Sequence, residues 1–224
     1  MVSAIVVAAG ESSRMGTNKL LLKIGGIPAV VRSILSFESA PSVQETVIVA
    51  KKEFHELYLD WKQEYSLQKL KVIVEGGATR QDSVLLGIGA ASEKSEYFAV
   101  HDGARPFIDP HDIERVIQDA KRYGAATLGV PVKDTIKVVA ENGFIECTPE
   151  RSMLFITQTP QVFRREIYLQ GVAAAKRNGL NFTDDCQLVE YAGHKVYMTK
   201  GNYQNIKLTT KDDILVAKAF TKEE

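Results

Sequence analysis

The sequence predicts an α/β protein whose doubly wound, mostly parallel sheet carries an inserted β-hairpin arm. Three observations support this. Short runs rich in valine and isoleucine alternate with longer segments of helical spacing, the runs are apolar at consecutive positions as in strands covered on both faces, and the alternation breaks once, around Asn142-Gly143. In chain order, strands are expected at 4–8, 46–50, 72–74, 98–100 and 126–130. Helices are expected at 30–37, 54–65, 83–91 and 113–123, the last opened by Pro110 and closed by Gly124. Segments 135–139 and 144–148 then flank Asn142-Gly143, a dipeptide suited to a type I′ hairpin turn. Helices at 164–177 and 184–191, a strand at 196–198 and a helix at 211–220 complete the reading. The expectation is one domain over 1–224 with an arm at 133–156. A two-stranded ribbon is marginal alone in water, so the arm must pack on its own domain or on another subunit.

Composition narrows the function. With 224 residues and 45% hydrophobic content the chain can bury a sizeable core. Lysine plus arginine and aspartate plus glutamate each total 28, so no global field recruits nucleic acid or an anionic membrane, and any anion must be bound locally. Cys147 and Cys186 lack CxxC spacing and the four histidines form no zinc pattern. The apolar run 4–9 is too short to span a membrane and leads straight into a polar loop, which predicts a cytoplasmic protein.

In a doubly wound sheet ligands bind beyond the carboxyl ends of the strands, so the segments after Ala9, Val74, Val100 and Val130 are expected to converge on one crevice. The first, from Ala8-Ala9-Gly10 through Arg14 to Lys19, combines glycine, which allows close backbone approach to phosphate, with two cations. It is not a Walker A loop, because Leu20 follows Lys19, and it lacks the GxGxxG dinucleotide pattern. Taken locally it also reads as an ordinary strand-to-helix turn. Asp102 closes an apolar strand, a costly place for an unpaired carboxylate, and Arg105 is its expected partner. His101 reads as structural. Ser83 suits a helix start, and Thr183-Asp184-Asp185 reads equally well as a helix cap.

Glycine with Arg14 and Lys19 at this spacing resembles the signature of nucleotidyltransferases that activate sugars and sugar alcohols. Two further strings, Gly76-Gly77-Ala78-Thr79-Arg80-Gln81-Asp82-Ser83-Val84 and His101-Asp102-Gly103-Ala104-Arg105-Pro106-Phe107, resemble the erythritol-phosphate cytidylyltransferases of isoprenoid synthesis in detail. Glu150-Arg151-Ser152, Gln158-Thr159-Pro160-Gln161, Thr183-Asp184-Asp185 and the stretch from Asn205 to Thr210 stand in that family's order. The departures are Val7 where proline is common, a shortened loop before Lys19, Ala78 where an acidic residue is common, and Cys186 where a small residue is usual.

The resemblance implies a Rossmann-like nucleotidyltransferase fold and transfer of a cytidylyl group from CTP to 2-C-methyl-D-erythritol 4-phosphate, with Mg²⁺ or another divalent ion on the triphosphate. It implies Arg14, Lys19 and Lys207 as catalytic cations. It implies Ala8, Ala9, Gly10, Gly77, Ser83, Asp102, Gly103 and Ala104 as the nucleotide site. It also implies Thr183, Arg105, Arg151 and Thr135 for the acceptor, with Arg151 reaching across a homodimer built on the β-arm. No side-chain metal set is assigned, Asp102 being the one candidate ligand. Two alternatives stand beside this reading: a cytidylyltransferase for a pentitol phosphate such as ribitol 5-phosphate, and a non-catalytic CTP-binding module.

Overall fold

A computed structural model describes residues 1–10 and 19–221. The chain runs β1 (Val2–Val7), β2 (Lys23–Ile24), β3 (Ile27–Pro28), α1 (Ala29–Ser39), β4 (Glu45–Ala50), a 3₁₀ turn (Lys52–Phe54), α2 (His55–Glu64), β5 (Leu70–Glu75), α3 (Arg80–Ala90), β6 (Tyr97–Asp102), α4 (Pro110–Tyr123) and β7 (Ala125–Pro131). It continues through β8 (Val138–Val139), β9 (Ile145–Cys147), a second 3₁₀ turn (Arg151–Met153), β10 (Phe155–Arg164), α5 (Arg165–Arg177), α6 (Asp185–Tyr191), β11 (Tyr197–Lys200) and α7 (Lys211–Thr221).

Among the described residues one seven-stranded sheet forms, in the order β11-β7-β10-β6-β1-β4-β5. All neighbours are parallel except β10, which runs antiparallel to both β6 and β7. The continuous apolar runs are explained by burial on two faces. Along β1, Val2, Ala4 and Val6 pack with residues of α1, α2 and α4, including Phe37, Trp61 and Ile117. Ile5 faces the other way with Val47 and Val49, under Ile88 and Ala90 of α3. Tyr168 of α5 and Leu188 and Val189 of α6 cover Phe98, Val100 and Phe163 on that second face.

Local signals set several boundaries. Asp109 caps α4 by accepting from His111 N at 2.7 Å, Pro110 takes its first turn, and Gly124 ends it at φ 91°. The start of α3 lies earlier than expected, because Thr79 and Asp82 form a reciprocal capping box ahead of Ser83.

One strand is absent from the sequence reading, and one expected turn is corrected. Strand β10 is invisible to a search for apolar runs, since its middle reads Thr157-Gln158-Thr159-Pro160-Gln161. Pairing with β7 shifts register between Thr157 and Gln161, and the irregularity accommodates a proline without a donor. The arm's turn is also different in kind. Gly143 alone takes a positive φ, 86°, its N–H donates to Ala140 O at 2.9 Å, and Ala140 N donates to Phe144 O at 2.9 Å. That is a three-residue loop with glycine at the left-handed position. The two-residue turn with positive φ at both centres lies at Gly25-Gly26, between β2 and β3.

Two glycines of α3 give a paired test of this packing. A Cβ on Gly87 would stand 2.5 Å from Ile5 Cγ2 and 2.7 Å from Val49 Cγ2, whereas one on Gly89 meets nothing within 4 Å. Gly87→Ala is therefore expected to destabilise by about 1–3 kcal/mol through overpacking. Gly89→Ala is expected to stabilise by roughly 0.5–1 kcal/mol through helix propensity. Chemical denaturation of the two variants beside the parent checks both signs.

Candidate active site

The ends of four parallel strands lie level at one edge of the sheet. Val7 of β1 pairs with Asp102 of β6 and with Val49 of β4, and Ala50 of β4 pairs with Glu75 of β5. The segments leaving these strands line a crevice of about 1150 Å³. Ala9, Gly10 and Lys19 enter it after β1, Lys51 and Lys52 after β4, residues 76–80 after β5, and Asp102 and Ala104 at β6. Lys207 and Thr209 reach it from the loop before α7. The segment after β7, expected here, is not part of the lining. Strand β10 lies between β6 and β7, so β7 stands one strand further out and its continuation goes into the arm.

Steric detail explains the glycine loop. A Cβ on Gly76 would stand 2.2 Å from Ala9 Cβ, so the loops after β1 and β5 can meet only without a side chain there. Ser83, buried on α3, braces the same loop: its hydroxyl accepts from Gly77 N at 3.0 Å and donates to Thr79 O at 2.9 Å.

Asp102 is the buried carboxylate of the crevice. One oxygen lies 2.7 Å from Lys207 Nζ and the other 3.3 Å from Arg80 Nε. Burial alone would raise the Asp102 carboxyl, but Arg80 and Lys207 outweigh it and hold the group well below the usual carboxylate range. The guanidinium of Arg80 also reaches Asp185 at 2.8 Å, and although burial works against its charge, the two carboxylates hold its pKa above the ordinary arginine value. Arg105, the expected partner, points elsewhere: its Nη1 donates to Asn205 O at 2.7 Å, and toward Asp102 it adds only a smaller field.

Behind the carboxylate a buried network fixes the backbone. Asp102 N donates to Thr159 Oγ1 at 3.1 Å, and that hydroxyl meets His101 Nδ1 at 3.0 Å. Burial pushes the His101 imidazole down to about 3 against the opposing field of Asp102, so the ring is neutral at physiological pH. Asn205 Nδ2 donates to Thr159 O at 2.9 Å and Leu208 N to Ala104 O at 2.9 Å, which stitches the Lys207 loop to the end of β6.

The remaining expected residues lie in several places. Arg14 is outside the described residues. Ala8 is buried with its N–H on Val49 O, and Gly103 donates to Val7 O; both sit just beneath the lining. Thr183 is exposed beside α6, its hydroxyl donating to Gln187 Oε1 at 3.0 Å, and Asp184 is the helix cap. Thr135 and Arg151 are exposed on the arm, with Arg151 Nη1 on Lys133 O at 3.1 Å, and neither lines the chain's own crevice.

The sequence reading gave no role to Arg80, Lys51, Lys52 or Thr209. For Arg80 a signal existed, since an arginine in the first turn of a helix faces the positive end of its dipole and calls for carboxylate partners. The globally neutral chain thus gathers Lys19, Lys51, Lys52, Arg80 and Lys207 around one cavity. Among the described residues no group of three His, Cys, Asp or Glu side chains is placed to hold a metal. Asp102, with Glu53 and Glu75 exposed on the lining, fits an ion carried mainly by substrate phosphates rather than a protein cage.

Known proteins resemble the chain over nearly its whole length, in sequence and in fold. The sequence profile of 2-C-methyl-D-erythritol 4-phosphate cytidylyltransferase matches residues 2–223. The protein of that name from Clostridium novyi is 44% identical over 214 residues, 94% of this chain and 92% of the relative. A chloroplastic one from Oryza sativa is 38% identical over 228 residues, 100% of this chain and 75% of the relative. The crystal structure of 4-diphosphocytidyl-2C-methyl-D-erythritol synthase from Anaerococcus prevotii superposes with a TM-score of 0.89 at 28% identity, covering 99% of this chain and 98% of that one. With a matched profile over nearly its whole length and relatives above 40% identity, the chain belongs to the 2-C-methyl-D-erythritol 4-phosphate cytidylyltransferase family.

Proposed function

We propose that the chain transfers a cytidylyl group from CTP to 2-C-methyl-D-erythritol 4-phosphate in the non-mevalonate isoprenoid pathway, giving 4-diphosphocytidyl-2-C-methyl-D-erythritol and pyrophosphate. The observation that carries this is the convergence of Lys19, the glycine loop after β5 and the Asp102–Lys207 pair on one crevice, in a chain of this family. A phosphate oxygen of the acceptor attacks the α-phosphorus of CTP, a new P–O bond forms, and the bond to the β-phosphate breaks. The nucleophile is already anionic, so no general base is required. Catalysis consists of aligning two polyanions and stabilising charge that grows on the α-phosphate and leaving group. Mg²⁺ on the triphosphate supplies further neutralisation when bound, with Asp102 the side chain suited to approach it.

In this reading Arg14 and Lys19 attend the triphosphate and Lys207 the α-phosphate. Gly77 and Ser83 form the cytosine side, the Ala8-Ala9-Gly10 backbone faces the phosphates, and Asp102, Gly103 and Ala104 lie against ribose and phosphates. Thr183 takes the acceptor phosphate, and Arg105, proposed for the acceptor by the same resemblance, also holds Asn205 O in the loop that carries Lys207. Arg151 and Thr135 act from a second copy of the chain, joined through the arm. Supporting that assembly, the arm and its return leave large apolar side chains open to solvent, Phe144 at 74% and Met153 at 80% exposure.

The test of the reaction is pyrophosphate release with CTP and Mg²⁺ and, in parallel, the phosphates of methylerythritol, ribitol and erythritol. Methylerythritol phosphate is expected to be turned over fastest, and CTP to be preferred strongly over UTP, because hydrogen-bonding groups arranged for the cytosine amine face a uracil carbonyl unpaired. Faster turnover of ribitol phosphate moves the protein to the pentitol enzymes; equal use of UTP removes the cytidylyl assignment.

Lys19→Ala and Lys207→Ala are each expected to lower kcat by about 10²–10³, the scale for losing one donor to transition-state charge. Lys19→Ala is expected to move folding stability by less than about 1 kcal/mol, whereas Lys207→Ala leaves the buried Asp102 carboxylate to Arg80 alone and is expected to cost roughly 1–3 kcal/mol as well. Saturating initial rates together with thermal melts separate the two effects, and near-normal kcat in either variant cancels that lysine's role.

Mixing subunits tests the shared site. In a two-fold dimer of one Lys19→Ala and one Arg151→Ala chain, one site carries both changes and the other neither, so random exchange restores about a quarter of all sites. No recovery above either parent, with heterodimers confirmed, assigns Arg151 to its own subunit.

A further inference from the structure

We propose that Arg80 is a positioning residue that ties the acceptor end of the site to its nucleotide end, acting through Asp185 and Asp102. The proposal rests on the assignment of Thr183 to the acceptor made above. Its guanidinium spans carboxylates that are remote in sequence: Asp102 at the end of β6, 22 residues away, and Asp185 in the first turn of α6, 105 residues away. No other cation among the described residues pairs with Asp185. That carboxylate, with a side chain only 2% exposed, also accepts from Tyr168 Oη at 2.7 Å, and its own N–H donates to Gln161 Oε1 at 3.0 Å.

The consequence for Thr183 follows from the order of the chain. Thr183 and the cap Asp184 immediately precede Asp185, so the segment offered to the acceptor hangs from a residue anchored by Arg80. The other end of the same guanidinium holds one oxygen of Asp102 while Lys207 holds the other. Arg80 therefore sets the distance between the acceptor segment and the Asp102–Lys207 pair, and by sharing the charge of Asp102 it leaves the Lys207 ammonium less fully committed to that carboxylate. A lysine cannot substitute, because a single ammonium lacks the fork that reaches two carboxylates at once.

The experiment measures kcat, both KM values and CTP binding by calorimetry for the full chain and for Arg80→Gln, Arg80→Lys, Asp185→Asn and the double variant Arg80→Gln/Asp185→Asn. The expected result is a rise of about tenfold in the acceptor KM for each single variant, lysine included, with CTP affinity changed less than threefold. The double variant should be no worse than the poorer single, since both changes cut one link. If Arg80→Gln does not fold, Arg80→Lys and Asp185→Asn carry the same test. Unchanged acceptor KM with only a lower melting temperature makes the bridge merely structural, and a loss confined to CTP affinity makes Arg80 a nucleotide contact; either overturns the proposal. A parent chain that fails to release pyrophosphate with CTP and methylerythritol phosphate, while the variants bind CTP normally, sinks the reaction assigned above, and the inference with it.

Discussion

The arrangement of the whole crevice depends on keeping one carboxylate ionised at the end of a buried strand. Asp102 closes β6 in the middle of the sheet, where removing a charge from water costs several kcal/mol unless it is compensated. Two cations supply that compensation, one from the helix after β5 and one from the loop before α7. Each must be delivered to within hydrogen-bonding distance, so the carboxylate acts as a meeting point for two segments that hydrogen bonds to the backbone and core packing also hold in place. A third segment, the start of α6, joins through the far side of Arg80.

Around this point the backbone leaves little freedom. Thr159 of β10 binds the N–H of Asp102 through its hydroxyl and the side chain of Asn205 through its carbonyl. The antiparallel strand thereby holds both the carboxylate and the loop that carries its lysine. This gives a physical reason for a polar strand in the interior of a parallel sheet: Gln158, Thr159 and Gln161 are buried because their side chains connect strand ends and loops, not because they fill the core. A purely apolar β10 would pack as well and position nothing.

The arm follows a different logic. Its two short strands bury little within the chain, and its apolar residues face outward. The same region holds Arg151 and Thr135, exposed and apart from the crevice of their own chain. A surface of this kind suits a partner that covers it, which supports the proposal of an acceptor site shared between two chains.

The amino-acid sequence by itself determined the alternation of strands and helices, because apolar periodicity, Pro110, Gly124 and the Thr79–Asp82 box act over one or two turns of chain. It also determined the family, since the strings around Gly76 and Asp102 are specific as strings. Tertiary structure alone decided who pairs with whom. Arg105 was the expected partner of Asp102 because it is three residues away, yet the turn after β6 sends it to Asn205 O, and the partners come from 22 residues before and 105 after. Likewise, sequence placed the segment after β7 at the crevice, whereas insertion of β10 beside β6 displaced it. Both outcomes have one cause: a charge or a strand edge is satisfied by whatever the fold brings within about 3 Å, and that neighbour is set by the packing of the whole sheet rather than by distance along the chain.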